Sequence, residues 1–204
     1  MLKTEIEKGI QHLSSNDITL ARIIKKIGKC NLKAHNDFYY SLLASIISQQ
    51  LSGRVADVIF GRFIDYFGYP DPQFILKAED EEIRRLGLSN AKVKYVKDLS
   101  LKLINKEISF RGIQKKTDED IIAELTRVKG VGVWTVHMFL IFTLGRLNIL
   151  PVGDLGIKRA IMNNYNLKVM PDEKMMRKIA RRYNWEPYCS IASWYLWKSL
   201  ELKE

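Results

Sequence analysis

The stretch Leu125-Thr126-Arg127-Val128-Lys129-Gly130-Val131-Gly132-Val133-Trp134-Thr135 decides the fold. It reads as two helices joined by a tight turn: one stops at Gly130 and another starts just beyond Gly132. Gly130 suits the left-handed conformation that ends a helix. Gly132 has no side chain, so another backbone can approach it closely. The first amides of the next helix lack internal partners and point outward. With the helix dipole behind them they form a site for an anion such as one phosphate, and Lys129 adds charge beside it. A Gly-Val-Gly turn is by itself an ordinary helix connection, since glycine is the standard helix terminator. Its surroundings give it meaning.

The apolar spacing is helical on both sides of this hairpin. Thr117-Asp118-Glu119-Asp120 supplies a cap and first-turn acids for a helix carrying Ile121, Ile122 and Leu125. Glu107 to Lys116 reads as a loop, Ser89 as a cap for the stretch from Lys92 to Ile104, and short helices are expected around Gly87. Further out, Pro70-Asp71-Pro72 marks a loop, and a helix after Ser52 carries Val55, Val58, Ile59 and Phe63. Asn36 or Asp37 caps a helix with Phe38, Leu42, Leu43, Ile46 and Ile47. Ile18, Ala21, Ile24 and Ile27 form a stripe after Asp17 that Gly28 ends. With no internal repeat and no sustained period-two alternation, the expectation is an all-α chain of about nine or ten helices.

About twenty residues beyond the hairpin lies Leu150-Pro151-Val152-Gly153-Asp154-Leu155-Gly156-Ile157-Lys158-Arg159. Asp154 sits in a Pro- and Gly-rich turn before the helical Ile157 to Tyr165 stretch. A plain N-cap is one reading, since aspartate is preferred there. A fixed carboxylate doing chemistry is the other, and these residues alone do not separate them.

The 204 residues carry 33 Lys and Arg against 23 Asp and Glu, a formal charge of +10. That excess fits a polyanion partner, although it also describes a merely basic protein. With 47% hydrophobic residues the chain is folded rather than disordered. Its length allows one core or two small lobes. Cys30 and Cys189 are too few and too far apart for a disulfide framework or a zinc site. The best apolar run, Met138 to Leu144, is too short for a membrane span, and Met1-Leu2-Lys3-Thr4-Glu5 lacks an apolar signal core. No membrane role and an intracellular location are expected: cytoplasm or nucleoid in a prokaryote, nucleus in a eukaryote.

The hairpin followed by the Asp154 turn resembles the helix-hairpin-helix DNA glycosylase superfamily. Three further segments are similar to its alkylated-base branch, the 3-methyladenine DNA glycosylase II type. They are Ile46-Ile47-Ser48-Gln49-Gln50-Leu51-Ser52, Leu86-Gly87-Leu88-Ser89-Asn90-Ala91-Lys92, and Trp185-Glu186-Pro187-Tyr188-Cys189-Ser190-Ile191-Ala192-Ser193-Trp194-Tyr195-Leu196-Trp197. The resemblance runs from about Asp37 to Ser199. It implies a two-lobed helical fold with a cleft between the lobes: one from about 37 to 150 including the hairpin at 125–135, the other from 1–36 and 151–204. Some members carry an N-terminal β domain, for which this chain has no room.

The function it implies is that of a monofunctional DNA glycosylase in base excision repair, flipping alkylated purines out of double-stranded DNA and hydrolysing their N-glycosyl bonds, as a monomer. Asp154 matches the acid that stabilises positive charge developing on the sugar and guides water. Gln50 matches the position that fills the gap left by a flipped base; on its own chemistry it is equally an exposed amide at a helix end. Ser52, Lys129, Gly130, Gly132, Thr135 and Lys158 are the expected DNA contacts, with Lys158 as well suited to plain solvation. Trp134 and Trp194 match positions lining the base pocket, where aromatic faces attract cationic purines. Trp197 is expected in the core. Tyr39 and Tyr40 are further pocket candidates, and His137 is expected to pack or to face a phosphate. Trp134 also stands where lyase-active relatives carry a lysine nucleophile, and tryptophan forms no imine.

A sodium or potassium ion on the carbonyls of Thr126, Val128 and Gly130 is a further implied feature. No other cofactor is required, and Cys189 alone cannot supply the ligands of an iron–sulfur cluster. Two rival readings account for less of the sequence. Trp134 and the 49–52 turn argue against a glycosylase for oxidised or mismatched bases. A non-catalytic hairpin module for binding DNA has no need of Asp154.

Overall fold

Capping residues start most of the helices. The computed structural model describes residues 2–202. Among them it has no strand and twelve α-helices: α1 (Leu2–Asn16), α2 (Ile18–Ile27), α3 (Phe38–Ser48), α4 (Gly53–Phe67), α5 (Pro72–Lys77), α6 (Asp80–Arg85), α7 (Asn90–Ile104), α8 (Asp118–Leu125), α9 (Val133–Phe142), α10 (Leu155–Asn164), α11 (Glu173–Arg182) and α12 (Cys189–Ser199). Asp17, Asp37, Ser89, Thr117 and Asp154 each accept a first-turn amide of the helix that follows. Such a bond satisfies an amide that the helix itself leaves unpaired.

The all-α expectation is met, with more helices than the spacing suggested. Pro72, read as loop, is the first residue of α5: Asp71 accepts the Gln73 amide at 2.7 Å, and proline at that position forfeits no helical bond. Two helices are also rotated from the expected face. Ile18 is exposed while Leu20 and Ile23 are buried; in α4 Phe63 is buried as expected, but Val55 and Val58 are exposed and Ala56 is buried in their stead. Apolar side chains at adjacent positions leave the buried face ambiguous by about 100°, one residue of an α-helix.

The chain divides into two compact units, His35–Phe139 and the residues up to Ala34 together with those from Leu140 onward. The sequence reading put the second boundary at 150; the division falls earlier, within α9. In the His35–Phe139 unit the core forms around α3. Leu42, Leu43, Ile46 and Ile47 are fully buried, as are Phe63 of α4, Ile75 of α5, Ile83 of α6 and Leu99 of α7. Each such side chain contributes roughly 1.5–3 kcal/mol on leaving water. The Tyr39 hydroxyl and Ser100 Oγ, 2.9 Å apart, tie α3 to α7. Tyr39 is therefore a core residue, and Tyr40 stacks edge-on against Phe60 of α4.

In the other unit α1 and α12 pack on α2. Its polar centre is Asp17, only 1% exposed. Oδ1 accepts the amides of Thr19 and Leu20, while Oδ2 accepts the Tyr165 hydroxyl and Trp185 Nε1. Four donors on one buried carboxylate offset its loss of water. Among the described residues no helix is long and apolar enough to cross a membrane.

Candidate active site

The hairpin between α8 and α9 closes as its glycines require. Val131 N–H donates to the Val128 carbonyl at 3.0 Å. Gly130 has φ +78°, and a Cβ there would lie within 2.5 Å of three ring atoms of Tyr95. Gly132 is the opposite case: it is exposed, and a Cβ would meet no protein atom within 4 Å. The space over Gly132 is therefore open to an approaching molecule. Val133 and Trp134, on the first turn of α9, are 50% and 43% exposed. His137 is half-buried.

Two side chains, Asp98 and Gln49, hold the hairpin from within its own unit, a part that sequence reasoning gave to neither. Asp98 of α7 is a buried carboxylate whose Oδ2 accepts the Lys129 amide at 2.8 Å. Its oxygens lie 3.7 Å from the Lys129 ammonium and 4.0 Å from that of Lys102. The Lys129 side chain stays 72% exposed, so its charge remains accessible. Gln49 Nε2 donates to the Gly130 carbonyl at 2.9 Å and to Thr135 Oγ1 at 3.3 Å. Thr135, expected at the DNA surface, is 3% exposed and turned inward by that bond. Of the carbonyls expected to hold a cation, Val128 and Gly130 thus each accept one hydrogen bond, which leaves a second lone pair on each.

The turn joining α3 to α4 is equally constrained. Lys92 Nζ donates to the carbonyls of Ile47 and Gln49, both at 2.7 Å, at the negative end of α3. Burial lowers the pKa of Lys92. Beyond this anchor Gln50 is exposed with φ +58°, a region few non-glycine residues adopt. Ser52 is exposed at the start of α4, and its side chain makes no capping bond.

Asp154, Lys158, Trp194 and Trp197 belong to the other unit. Asp154 is 8% exposed. Its Oδ1 accepts the Ile157 amide at 2.7 Å and Trp197 Nε1 at 2.9 Å. The residue is therefore an N-cap and an oriented carboxylate at once; the two readings of the sequence are compatible. A Cβ on Gly156 would come 3.0 Å from Asp154 Oδ1 and 3.2 Å from Trp197 Cδ1, so the turn is packed tightly around the acid.

Trp194 and Trp197 are held differently. Trp194 is buried and packs edge-on against Tyr195, with centroids 4.9 Å apart. Trp197, expected in the core, is half-buried, holds Asp154 and lies 5.6 Å from the Phe142 ring. Both lie on α12 three residues apart, so spacing alone does not single out the one that reaches Asp154. Trp197→Phe keeps the ring and removes the donor. It should slow the reaction expected of Asp154 on the order of tenfold, since a hydrogen bond to a charged group contributes about 1.5–3 kcal/mol. Single-turnover rates alongside a thermal melt check this; an unchanged rate would remove Trp197 from the site.

Lys158 is half-buried in the first turn of α10. Two cavities of about 760 and 770 Å³ lie along α11 and between α1 and residues 29–34; Asp154 lines neither.

Comparison with known proteins gives a consistent picture. Residues 43–185 match the HhH-GPD superfamily of base excision DNA repair proteins. An alkylbase DNA glycosidase-like protein of Schizosaccharomyces pombe is 31% identical over 202 residues, spanning 96% of this chain and 94% of that one. DNA-3-methyladenine glycosylase 1 of the same yeast is 31% identical over 210 residues, spanning 98% and 90%. The solved structure of a 3-methyladenine DNA glycosylase of S. pombe in complex with abasic DNA superposes with a TM-score of 0.85 at 31% identity, covering 96% of this chain and 97% of that one.

Proposed function

The chain belongs to the HhH-GPD superfamily of base excision DNA repair proteins, and from that premise we propose that it excises alkylated purines of the 3-methyladenine type from double-stranded DNA. The observation that carries this reading is Asp154, a nearly buried carboxylate fixed through Oδ1 by an amide and an indole N–H. The relatives named for glycosylase activity, and the glycosylase solved with abasic DNA, supply the substrate class.

The reaction is a hydrolysis. The bond from the sugar C1′ to the base nitrogen breaks, and its electron pair leaves with the base. An alkylated purine carries positive charge and departs neutral, so no separate acid is needed. Positive charge builds on the sugar, and the Asp154 carboxylate stabilises it. A water oxygen then bonds to C1′ while its proton passes to Asp154. The damaged base must leave the stack first. In this reading Gln50 fills the vacated space, and the open amide face at Gly132, with Lys129, grips one backbone phosphate. Trp134 offers an exposed aromatic face to the base. A sodium or potassium ion on the carbonyls of Thr126, Val128 and Gly130 would strengthen the phosphate grip. The protein acts as a monomer in the compartment that holds DNA.

The test is incubation with methylated duplex DNA. Free alkylated base should appear while the strand stays intact until alkali or heat. Borohydride should trap no stoichiometric adduct, because Trp134 offers no amine for an imine. Failure to release any base would overturn the reading. An enzyme-equivalent adduct that vanishes in Lys129→Ala or Lys158→Ala would overturn its monofunctional part.

A further inference from the structure

Gln49 and Gln50 are neighbours with opposite fates. Gln50 points its strained backbone and exposed side chain outward, whereas Gln49 turns inward and reaches across to the hairpin. A glutamine amide has two N–H donors. One goes to the Gly130 carbonyl and the other to Thr135 Oγ1, so both ends of the segment containing Gly132 are held by one side chain. The Gln49 carbonyl is held in turn by Lys92.

We propose that Gln49 is a positioning residue that locks the Gln50 turn to the hairpin, so that gripping the phosphate and filling the vacated stack occur as one rigid step. This rests on the glycosylase reading above. Its physical basis does not: two surface loops, one bearing an outward glutamine and one an open amide face, share a side chain that spends every donor on joining them. Without that link Lys92 still holds the Gln50 turn through the Gln49 carbonyl, but nothing in the turn reaches the hairpin through Gln49. The hairpin would still grip a phosphate, but Gln50 would no longer be presented at a fixed distance from it.

Gln49→Met keeps the length and removes both donors. In the DNA-free protein, amide exchange at Leu51 and Val131 should speed up together by about tenfold, the scale set by losing two hydrogen bonds from one local opening unit. On methylated duplex, single-turnover base release should fall about tenfold while affinity for undamaged duplex changes less than about threefold, since phosphate contacts persist. In a Gln50→Ala background the same substitution should cost less than about twofold, because residues acting through one another are not additive. That last result separates positioning from a general loss of stability.

Unchanged exchange at either amide, equal losses in both backgrounds, or a loss of undamaged-duplex affinity as large as the loss of rate would each overturn the proposal. Gln49→Leu, which is uncharged and lacks donors, gives the same readouts should the Met variant not fold. If the wild-type protein released no base, the glycosylase reading would fall, while the exchange experiment would still decide whether the lock exists.

Discussion

Asp154→Asn is expected to cut base release on the order of a thousandfold, the scale of losing a fixed electrostatic group at a reacting centre. The fold should barely notice. Asparagine caps helices about as well as aspartate, and its carbonyl oxygen can still accept from the Ile157 amide and Trp197 Nε1. What disappears is the negative charge, and with it the stabilisation of the sugar cation and the base for water. The charge also opposes a polyanion, so DNA affinity should be unchanged or tighter. Single-turnover release, duplex affinity and a thermal melt of the same variant check all three. Activity within tenfold of wild type would take the catalytic role away from Asp154.

The second large effect comes from the two hairpin glycines, which should fail in different ways. In Gly130→Ala the new methyl group enters the Tyr95 ring, and the backbone must hold φ +78° with a side chain present. Overpacking together with a left-handed backbone costs roughly 2–4 kcal/mol, seen as a markedly lower Tm. In Gly132→Ala the methyl group meets nothing in the protein. Stability should stay within about 0.5 kcal/mol, as for surface changes generally. Affinity for every duplex should instead fall about tenfold, whatever the sequence, with a salt dependence shallower by about one phosphate contact. A loss confined to one sequence context, or none at all, would mean that the hairpin does not hold a phosphate.

These expectations show which parts of the molecule the sequence made legible. Helix starts were, because a cap such as Asp17, Ser89 or Thr117 acts on amides two or three residues away. The hairpin and Asp154 were, because glycine and proline punctuate the chain locally. Buried faces were less so: in α2 and α4 apolar residues occupy neighbouring positions, and only tertiary packing selects Leu20 over Ile18 and Ala56 over Val55. The supporting residues were the least legible. Asp98 reaches Lys129 across 31 positions, Trp197 reaches Asp154 across 43, and Gln49 reaches Gly130 across 81. A faint local signal existed for Asp98, an acid between the buried Val96 and Leu99. None existed for pairing Trp197 with Asp154.

The double duty of Asp154 bears on how such a centre arises and how it is lost. Folding alone favours aspartate at the start of a helix, so the carboxylate needs no catalytic selection to be present. Chemistry then recruits a group whose orientation the backbone already guarantees. The converse also holds: a descendant that stopped cutting DNA would keep the aspartate for its helix. The indole donor at Trp197 is different: the cap is complete without it, so helix stability alone gives no reason for that nitrogen.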